Sequence, residues 1–196
     1  AVLCMKHNIP VFIEKPLSKN FNFFKRPIMR SKTKRLLIVN YIYLRYLIYK
    51  KFFINIKKSK KIVLIFGSCN GKKDFRVIKW EWLTHIFAIV IFFFGNNIRN
   101  IKVKKRFNNF SLTFRILKIK FYCFFGDRFE KKVRFLKIIN KNKNKKLNLG
   151  ENLKPSLSPL NLVLEDFLDK IKKKLVYSDI DLSKKITKQI KDIKIS

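Results

Sequence analysis

A short apolar run that stops at a proline constrains the fold of this chain more than any other feature. Residues 9–18 read Ile-Pro-Val-Phe-Ile-Glu-Lys-Pro-Leu-Ser. The apolar residues predict a short buried strand, and Pro16 cannot donate a ladder hydrogen bond, so the strand must end before it. Glu14 and Lys15 therefore stand at the carboxyl end of that strand. In an open α/β sheet, this is the edge at which ligands bind.

The patterns after this strand alternate between helix and strand, which predicts an α/β (α+β) fold. Val11–Ile13 and Leu36–Asn40 are predicted to be buried strands. A helix is expected over Phe21–Lys34 between them, kinked or delayed by Pro27. A further helix over Tyr43–Lys57 is expected to lead into a second unit.

A mixed, largely antiparallel sheet covered by helices is predicted from Lys61 onward. Ile62–Ser68 is apolar and rich in β-branched residues, which is typical of a central strand. Trp80–Phe94 is predicted to be a helix that stops at Gly95. Three alternating runs predict antiparallel strands with one solvated face. These runs are Ile101–Phe107, Leu112–Phe124 and Glu130–Ile139.

The remaining segments are predicted to be turns, a loop and two closing helices. Gly126-Asp127 supplies a turn, and the Lys/Asn tract Asn140–Lys146 is expected to be a solvated loop. Ser158–Lys173 and Asp179–Ile193 are predicted to be amphipathic helices, the first with Ser158 as its N-cap.

Composition and cysteine spacing exclude several classes of protein. A chain of 196 residues, 47% hydrophobic and 30% charged, is long enough for one ordinary core and part of another domain. Cys4, Cys69 and Cys123 have neither disulfide-framework nor zinc-site spacing, so we expect a reduced, cytoplasmic protein without a metal. The uncharged stretch Ile86–Phe94 is about half of the roughly 20 residues that span a membrane, which predicts a buried helix.

The net charge of +35 raises the question of an anionic partner. Such a charge favours nucleic acid or an anionic membrane. However, the 47 basic residues are spread over the whole chain and mixed with Asn, Ile and 21 Phe, the residue set that A/T-rich codons favour. Mutational bias therefore explains the charge without a ligand. We do not expect a membrane partner, and nucleic-acid binding is the least favoured function.

Several segments together resemble one enzyme family. Cys4–Ser18 is similar to the segment that closes the nucleotide-binding domain of the Gfo/Idh/MocA family, which contains NAD(P)-dependent sugar and cyclitol dehydrogenases. Further similar segments follow in the family's order and span nearly the whole chain: Val39-Asn40-Tyr41, Lys61–Ser68, Trp80–His85 leading to Gly95, and Ser158–Asn161. The resemblance implies a Rossmann-domain remnant over residues 1–42. Residues 43–196 would then be a substrate-binding and oligomerisation domain with returning carboxyl-terminal helices.

The resemblance also implies hydride transfer between a nicotinamide and a secondary hydroxyl of a sugar, cyclitol or related compound. Lys15 would polarise the substrate oxygen, and His85 would act as the general acid/base. Glu81 precedes His85 by four residues, so a helix would place both on one face, where Glu81 supports the histidine. The cofactor would contact Glu14, Lys15 and Pro16, with Glu14 near the nicotinamide ribose.

Two interpretations of Arg76 and Trp80 are open. They line a polyol pocket, where arginine donates hydrogen bonds to hydroxyl groups and indole stacks on sugar faces, or they are plain surface and core residues. The expected partners are therefore a small-molecule substrate and a second copy of the chain, which would pair through the open face of the sheet.

Departures from the family pattern support a second interpretation. The chain has only five glycines and no Gly-x-Gly-x-x-Gly turn for a pyrophosphate, and it starts at Ala1. We therefore expect a carboxyl-terminal fragment, with NAD or NADP bound by the full-length protein and weakly or not at all by this chain alone. Glu81 replaces the family's aspartate, and Leu83 stands where a glycine is expected and would fill substrate space. A truncated or degenerate non-catalytic pseudo-enzyme is the alternative.

Overall fold

A computed structural model describes residues 2–26, 29, 36–52, 59–69, 71, 74–107, 109–140, 144–149 and 158–193. The strands are β1 (Val11–Ile13), β2 (Leu36–Val39), β3 (Lys61–Gly67), β4 (Arg99–Arg106), β5 (Asn109–Ile116), β6 (Ile119–Gly126), β7 (Val133–Ile139), β8 (Asn144–Asn148) and β9 (Tyr177–Ser178). The α-helices are α1 (Val2–Lys6), α2 (Ile42–Tyr49), α3 (Phe75–Phe94), α4 (Pro159–Lys172) and α5 (Ile180–Asp192), and a 3-10 helix covers Phe21–Lys25. Within these residues the strands form two sheets.

The smaller sheet is parallel and has the order β1-β2-β9. The predicted strands Val11–Ile13 and Leu36–Asn40 are confirmed as β1 and β2. Helix α4 lies against this sheet, where the rings of Phe12 and Phe167 are 5.6 Å apart between centroids. Strand β9 was not predicted, because two residues are too short for a periodic signal. It brings the carboxyl-terminal part of the chain back to β2.

The larger sheet has six strands in the order β4-β5-β6-β3-β7-β8. The β3–β6 pair is parallel and the other pairs are antiparallel, which confirms the predicted mixed, largely antiparallel sheet. Burial alternates along the central strands, because α3 covers one face of the sheet and no element among the described residues covers the other.

Helix α3 is the core helix of the larger sheet. Every residue from Trp82 to Ile91 is buried. By length and composition alone, residues 76–94 could cross a membrane. However, 61% of their most apolar 18-residue stretch is buried inside the protein. Packing against the sheet and α5 accounts for this apolarity, as expected for the predicted buried helix over Ile86–Phe94.

Two predicted segments of the larger sheet were wrong. The run Leu112–Phe124 is not one strand but the hairpin of β5 and β6, which turns at Leu117 with a φ of 54° and 80% exposure. Alternation continues through a two-residue turn, so the pattern did not show the break. The predicted loop Asn140–Lys146 includes the start of β8, which pairs with β7; residues 141–143 lie outside the described residues.

The helix boundaries also differ from the predictions. Helix α2 ends at Tyr49 rather than Lys57, and residues 53–58 lie outside the described residues. The predicted helix Phe21–Lys34 is a 3-10 helix over its first five residues, and Pro27 also lies outside the description. Helix α3 begins five residues earlier than predicted, at Phe75, because Asp74 caps it by accepting a hydrogen bond from the amide of Arg76.

The predicted ends of three helices are confirmed. Gly95 terminates α3 with a φ of 80°, a conformation that favours glycine. Ser158 caps α4, since its Oγ accepts a hydrogen bond from the amide of Asn161. Helix α5 follows the predicted range Asp179–Ile193 to within one residue at each end.

Candidate active site

The predicted site residues Glu14 and Lys15 follow β1, next to the end of β2. The amide of Asn40 donates to the carbonyl of Ile13, which continues the parallel ladder by one residue. The side-chain amide of Asn40 then donates to Glu14 Oε1 at 2.5 Å. Beyond Glu14, the peptide between Lys15 and Pro16 is cis. The carboxylate of Glu14 and the amine of Lys15 thus lie at the strand end that the sequence predicted.

Lys15 connects this strand end to helix α3. Its Nζ donates a hydrogen bond of 3.0 Å to the main-chain carbonyl oxygen of Glu81. Glu81 and His85 are one helical turn apart on α3, so they share a helix face. The structure therefore brings the three predicted catalytic residues together around the start of this turn.

Aromatic rings surround His85. The Tyr43 ring of α2 is 4.6 Å from the imidazole in an edge-on arrangement, and the Phe66 ring of β3 is stacked at 6.1 Å. Trp82, on the same helix, is 6.4 Å away. His85 is only 5% exposed, and its Nδ1 has no hydrogen-bond partner among the described residues. A buried imidazole with a free ring nitrogen can exchange a proton with a bound molecule.

The electrostatics keep His85 neutral. Burial lowers the pKa of His85 well below its usual value, and the cationic groups of Lys15 and Arg134 lower it further. Burial also raises the pKa of Tyr43 to about 12, against the opposing effect of Arg134. The site therefore contains a neutral imidazole and a neutral phenol next to two cations.

The same strand and helix arrangement occurs in solved oxidoreductases, although the sequence matches no family model and no curated protein. A Gfo/Idh/MocA family oxidoreductase from Vibrio cholerae is similar over 96% of this chain and 70% of its own, with 11% identity and a TM-score of 0.67. Myo-inositol 2-dehydrogenase from Lactobacillus plantarum is similar over 97% of this chain and 71% of its own, with 14% identity and a TM-score of 0.75. The chain has the fold of the Gfo/Idh/MocA oxidoreductases.

A third neighbour is a 3-ketoreductase from Actinomadura kijaniata, solved in complex with TDP-benzene and NADP. It is similar over 98% of this chain and 71% of its own, with 9% identity and a TM-score of 0.67. The Gfo/Idh/MocA fold confirms the predicted fold class and the resemblance that the sequence motifs indicated.

One residue near His85, Arg134, was not predicted from the sequence. The guanidinium of Arg134 lies 5.6 Å from the Tyr43 ring centroid and 5.5 Å from that of Trp82. Arg134 is paired with Phe66 in the sheet, so it points to the face that α3 covers. The sequence did contain a signal for this residue. Arg134 stands two and four residues before Leu136 and Ile138, so the alternation of the strand places it on the same inward side.

The two predicted substrate-binding residues, Arg76 and Trp80, lie on α3 before His85. The Arg76 side chain is 88% exposed, and its Nη2 pairs with Asp74 at 3.5 Å. Arg76 precedes His85 by nine residues, which is roughly 13 Å along the helix axis. Trp80 is half-buried against the core, and its carbonyl accepts a hydrogen bond from Thr84. Leu83 is fully buried in the core.

Proposed function

We propose that this chain carries the catalytic residues of an NAD(P)-dependent oxidoreductase that acts on a secondary hydroxyl group of a sugar, cyclitol or related compound. The hydrogen bond from Lys15 to the Glu81 carbonyl carries the proposal. It holds a cation at a strand end, one helical turn from a buried neutral histidine. A proton acceptor beside a cation is the pair that alcohol oxidation needs, since the hydroxyl must lose a proton as the carbonyl forms.

Each of the two groups has a distinct role. The amine of Lys15 would donate a hydrogen bond to the substrate oxygen and stabilise the negative charge that develops there. Neutral His85 would accept the hydroxyl proton in oxidation, and its imidazolium would return the proton in reduction. Glu81 would hold Lys15 through its main-chain carbonyl. Its side chain lies on the same helix face as His85 and would support the histidine. The nicotinamide, when bound, would supply the hydride chemistry.

The residues at the β1 end fit the nicotinamide side of such a cofactor. Glu14 is held by the Asn40 amide, which leaves carboxylate lone pairs for the ribose hydroxyls. Lys15 and Pro16 continue the same edge. The 196 residues contain no Gly-x-Gly-x-x-Gly turn for the pyrophosphate, so we expect these residues alone to bind NAD or NADP weakly or not at all.

The substrate class is supported by what the structural neighbours are named for. Two of them are myo-inositol dehydrogenases, and another is a UDP-N-acetylglucosamine 3-dehydrogenase. All three names describe enzymes acting on polyhydroxylated rings. A polyol role for Trp80 stays a prediction, and Arg76 is the weaker of the two candidates because it is paired with Asp74 at the exposed start of α3.

The domain division at residue 42 and pairing of two copies through the sheet also stay predictions. Strand β9 and Val163 of α4 pack on β2, which supports the proposed return of the carboxyl-terminal helices to the first unit. No element among the described residues covers the face of the larger sheet away from α3, which leaves that face for the proposed pairing with a second copy.

The proposed activity is tested by following nicotinamide reduction at 340 nm with the intact protein isolated from its source. A panel of cyclitols, hexoses and nucleotide sugars would be offered with NAD⁺ and with NADP⁺. Lys15→Met and His85→Gln are expected to lower kcat by about 10²-fold or more, the usual scale for a positioned acid/base. Lys188 is an exposed lysine of α5, and Lys188→Met is the matched control that should retain activity.

Turnover that survives both Lys15→Met and His85→Gln would contradict the proposed roles. No turnover with any compound of the panel would instead support the non-catalytic alternative. In that case the native mass of the chain should be insensitive to both substitutions.

A further inference from the structure

Three buried nitrogen atoms at the candidate active site have no hydrogen-bond partner among the described residues. They are His85 Nδ1, Trp82 Nε1 and Arg134 Nε. The proposed reaction uses His85, but it gives no role to the other two nitrogens, and both of these are hydrogen-bond donors. Native folds seldom leave buried donors without an acceptor. Two such donors at one site therefore indicate that a bound molecule supplies the acceptor.

Arg134 is the charged member of this group, and aromatic rings hold it near His85. Its guanidinium lies 5.6 Å from the Tyr43 ring centroid and 5.5 Å from that of Trp82. The same two rings lie 4.6 Å and 6.4 Å from the His85 imidazole. The guanidinium and the imidazole thus share two aromatic neighbours, and the charge of Arg134 contributes to the lowered pKa of His85. Arg134 belongs to the same site as the proposed acid/base.

Arg134 has no carboxylate partner among the described residues. None of the ion pairs in this part of the chain includes it. Glu14 and Glu81 are the acidic residues of the site, and neither forms an ion pair with Arg134. By contrast, the buried guanidinium of Arg45 is paired with Asp179 at 2.9 Å. An arginine at an inward sheet position without such a partner is suited to an anion that arrives with a ligand.

The two cations of the site are more accessible than the groups behind them. Lys15 and Arg134 are half-buried, whereas Tyr43, Trp82 and His85 are buried. A molecule that enters from solvent therefore meets the amine and the guanidinium before it reaches the imidazole. Its charge and shape are selected at that point.

We propose that Arg134 binds a carboxylate of the substrate, so that the substrate is a sugar acid rather than a neutral polyol. This inference rests on the proposed function, because Lys15 and His85 are taken as the groups that act on the hydroxyl. The planar guanidinium of arginine matches both oxygens of a carboxylate. The indole N–H of Trp82 provides a further donor beside it. A substrate held at its carboxylate and at a nearby hydroxyl would be fixed in orientation.

A carboxylate fits Arg134 better than a hydroxyl group or a phosphate ester. A hydroxyl group would displace water from the guanidinium without supplying a charge, and an unpaired cation in a desolvated site is costly. A phosphate ester carries about −1.5 to −2 charges at pH 7 and needs more cationic groups than Arg134 alone. The amine of Lys15 is directed to the Glu81 carbonyl and, in the proposed reaction, to the substrate hydroxyl.

The test compares ligands that differ at one end only. D-gluconate, D-gluconamide and D-glucitol have a carboxylate, a neutral amide and a hydroxymethyl group there, and the galactose and mannose series are used in the same way. Affinities for the intact protein are measured by isothermal titration calorimetry in 150 mM NaCl, with and without NAD⁺. At least one acid is expected to bind about tenfold or more tightly than its amide, because hydrogen bonds to charged groups are the stronger ones.

Variants of Arg134 identify the residue that makes this distinction. Arg134→Met should weaken binding of the acid by at least about tenfold and change binding of the amide by less than about twofold. Arg134→Lys keeps the charge without the planar fork, so its affinity for the acid should lie between the two. Lys188→Met removes one charge from the exposed side of α5 and should leave all affinities unchanged. Circular dichroism and melting curves show whether each variant is folded.

Three results would overturn the proposal. The first is equal or undetectable binding of the acids and their amides. The second is an equal loss of acid binding in Arg134→Met and Lys188→Met, which would mean attraction by the bulk charge of a basic protein. The third is tighter binding of D-glucitol 6-phosphate than of any acid, which would assign Arg134 to a phosphate. If Arg134→Met does not fold, Arg134→Lys and the comparison of ligands in the unmodified protein still decide.

Turnover separates this inference from the proposed function. Nicotinamide reduction with neutral polyols, without any preference for the acids, would support the proposed activity and overturn the sugar-acid substrate. Binding of an acid that depends on Arg134, without nicotinamide reduction by any compound, would support the carboxylate site and contradict the proposed activity.

Discussion

Lys15 Nζ donates a 3.0 Å hydrogen bond to the main-chain carbonyl of Glu81, 66 positions further along the chain. The bond joins the end of β1 in the small sheet to the core helix of the large sheet. It also brings a cation close to His85, one turn further along α3. The properties of the histidine therefore depend on the lysine.

Removing the lysine charge is expected to raise the pKa of His85. Burial is the largest cause of the lowered pKa, and Lys15 is the next, so Lys15→Met should leave the pKa below its usual value but higher than in the unmodified protein. The titration of the His85 imidazole by NMR measures this. Lys188→Met serves as the control. An unchanged pKa in Lys15→Met would show that the two side chains are not electrostatically coupled.

The stability of the protein should fall as the pH falls through about 6.5, the ordinary pKa of histidine. His85 has a lower pKa in the folded state than in the unfolded state, so the unfolded chain binds the extra proton first. The expected slope is at most about 1.4 kcal/mol per pH unit for this one group. Urea unfolding at pH 7.5 and pH 5.5 measures the loss.

The histidine responsible for that loss can be identified by substitution. In His85→Gln, the free energy of unfolding should change less between pH 7.5 and pH 5.5 than in the unmodified protein. His7 lies at an exposed position after α1, so His7→Gln should show the same change as the unmodified protein. A pH response retained in His85→Gln would assign the effect to other groups.

Asp179→Asn is expected to destabilise the fold strongly. Arg45 Nη2 donates to both oxygens of Asp179, at 2.9 and 3.1 Å, and the carboxylate also accepts from the Val39 amide and the Tyr177 hydroxyl. The Asp179 side chain is fully buried. Removing one partner of a buried pair costs about 3–5 kcal/mol.

The control for that prediction is an exposed ion pair on α4. Asp169 and Lys173 are 2.8 Å apart with both side chains more than half exposed. Asp169→Asn should cost less than about 1 kcal/mol by urea denaturation. Similar losses for the two aspartates would mean that the buried pair does not hold the carboxyl-terminal segment to β2.

Gly67→Ala is expected to destabilise the end of β3 because of a steric clash. A Cβ at Gly67 would lie 2.3 Å from the Phe129 ring. Overpacking of this kind costs about 1–3 kcal/mol, measured as a lower free energy of unfolding. In Gly67→Ala with Phe129→Ala, the total loss should be smaller than the sum of the two single losses. Additive losses would indicate that the ring moves away freely.

The sequence predicted local elements well where the signal lay within one segment. The strands β1, β2 and β3, the caps at Ser158 and Gly95, and the closing helices all follow from nearby residues. The errors occurred where one pattern permits two structures. Alternation over residues 112–124 continues through the tight turn at Leu117, and a Lys/Asn tract can pair as an edge strand because its side chains remain exposed.

The candidate site was predictable in part for the same reason. Strand-end placement identified Glu14 and Lys15, and the resemblance to the Gfo/Idh/MocA family identified Glu81 and His85, which helix spacing places on one face. Arg134 was missed because its proximity to His85 depends on the antiparallel pairing of β7 with β3. The exposure of Arg76 likewise depends on where α3 begins, which Asp74 sets.

The sequence by itself determined the strands β1, β2 and β3, the two closing helices, and the helix ends at Gly95 and Ser158. Hydrophobic period, proline and capping residues act over a few positions, so these elements follow from nearby residues. Tertiary structure alone decided that Lys15 meets Glu81 and that Arg134 faces inward. Those relationships arise from sheet register and helix packing, in which residues far apart in the chain bury apolar surface together.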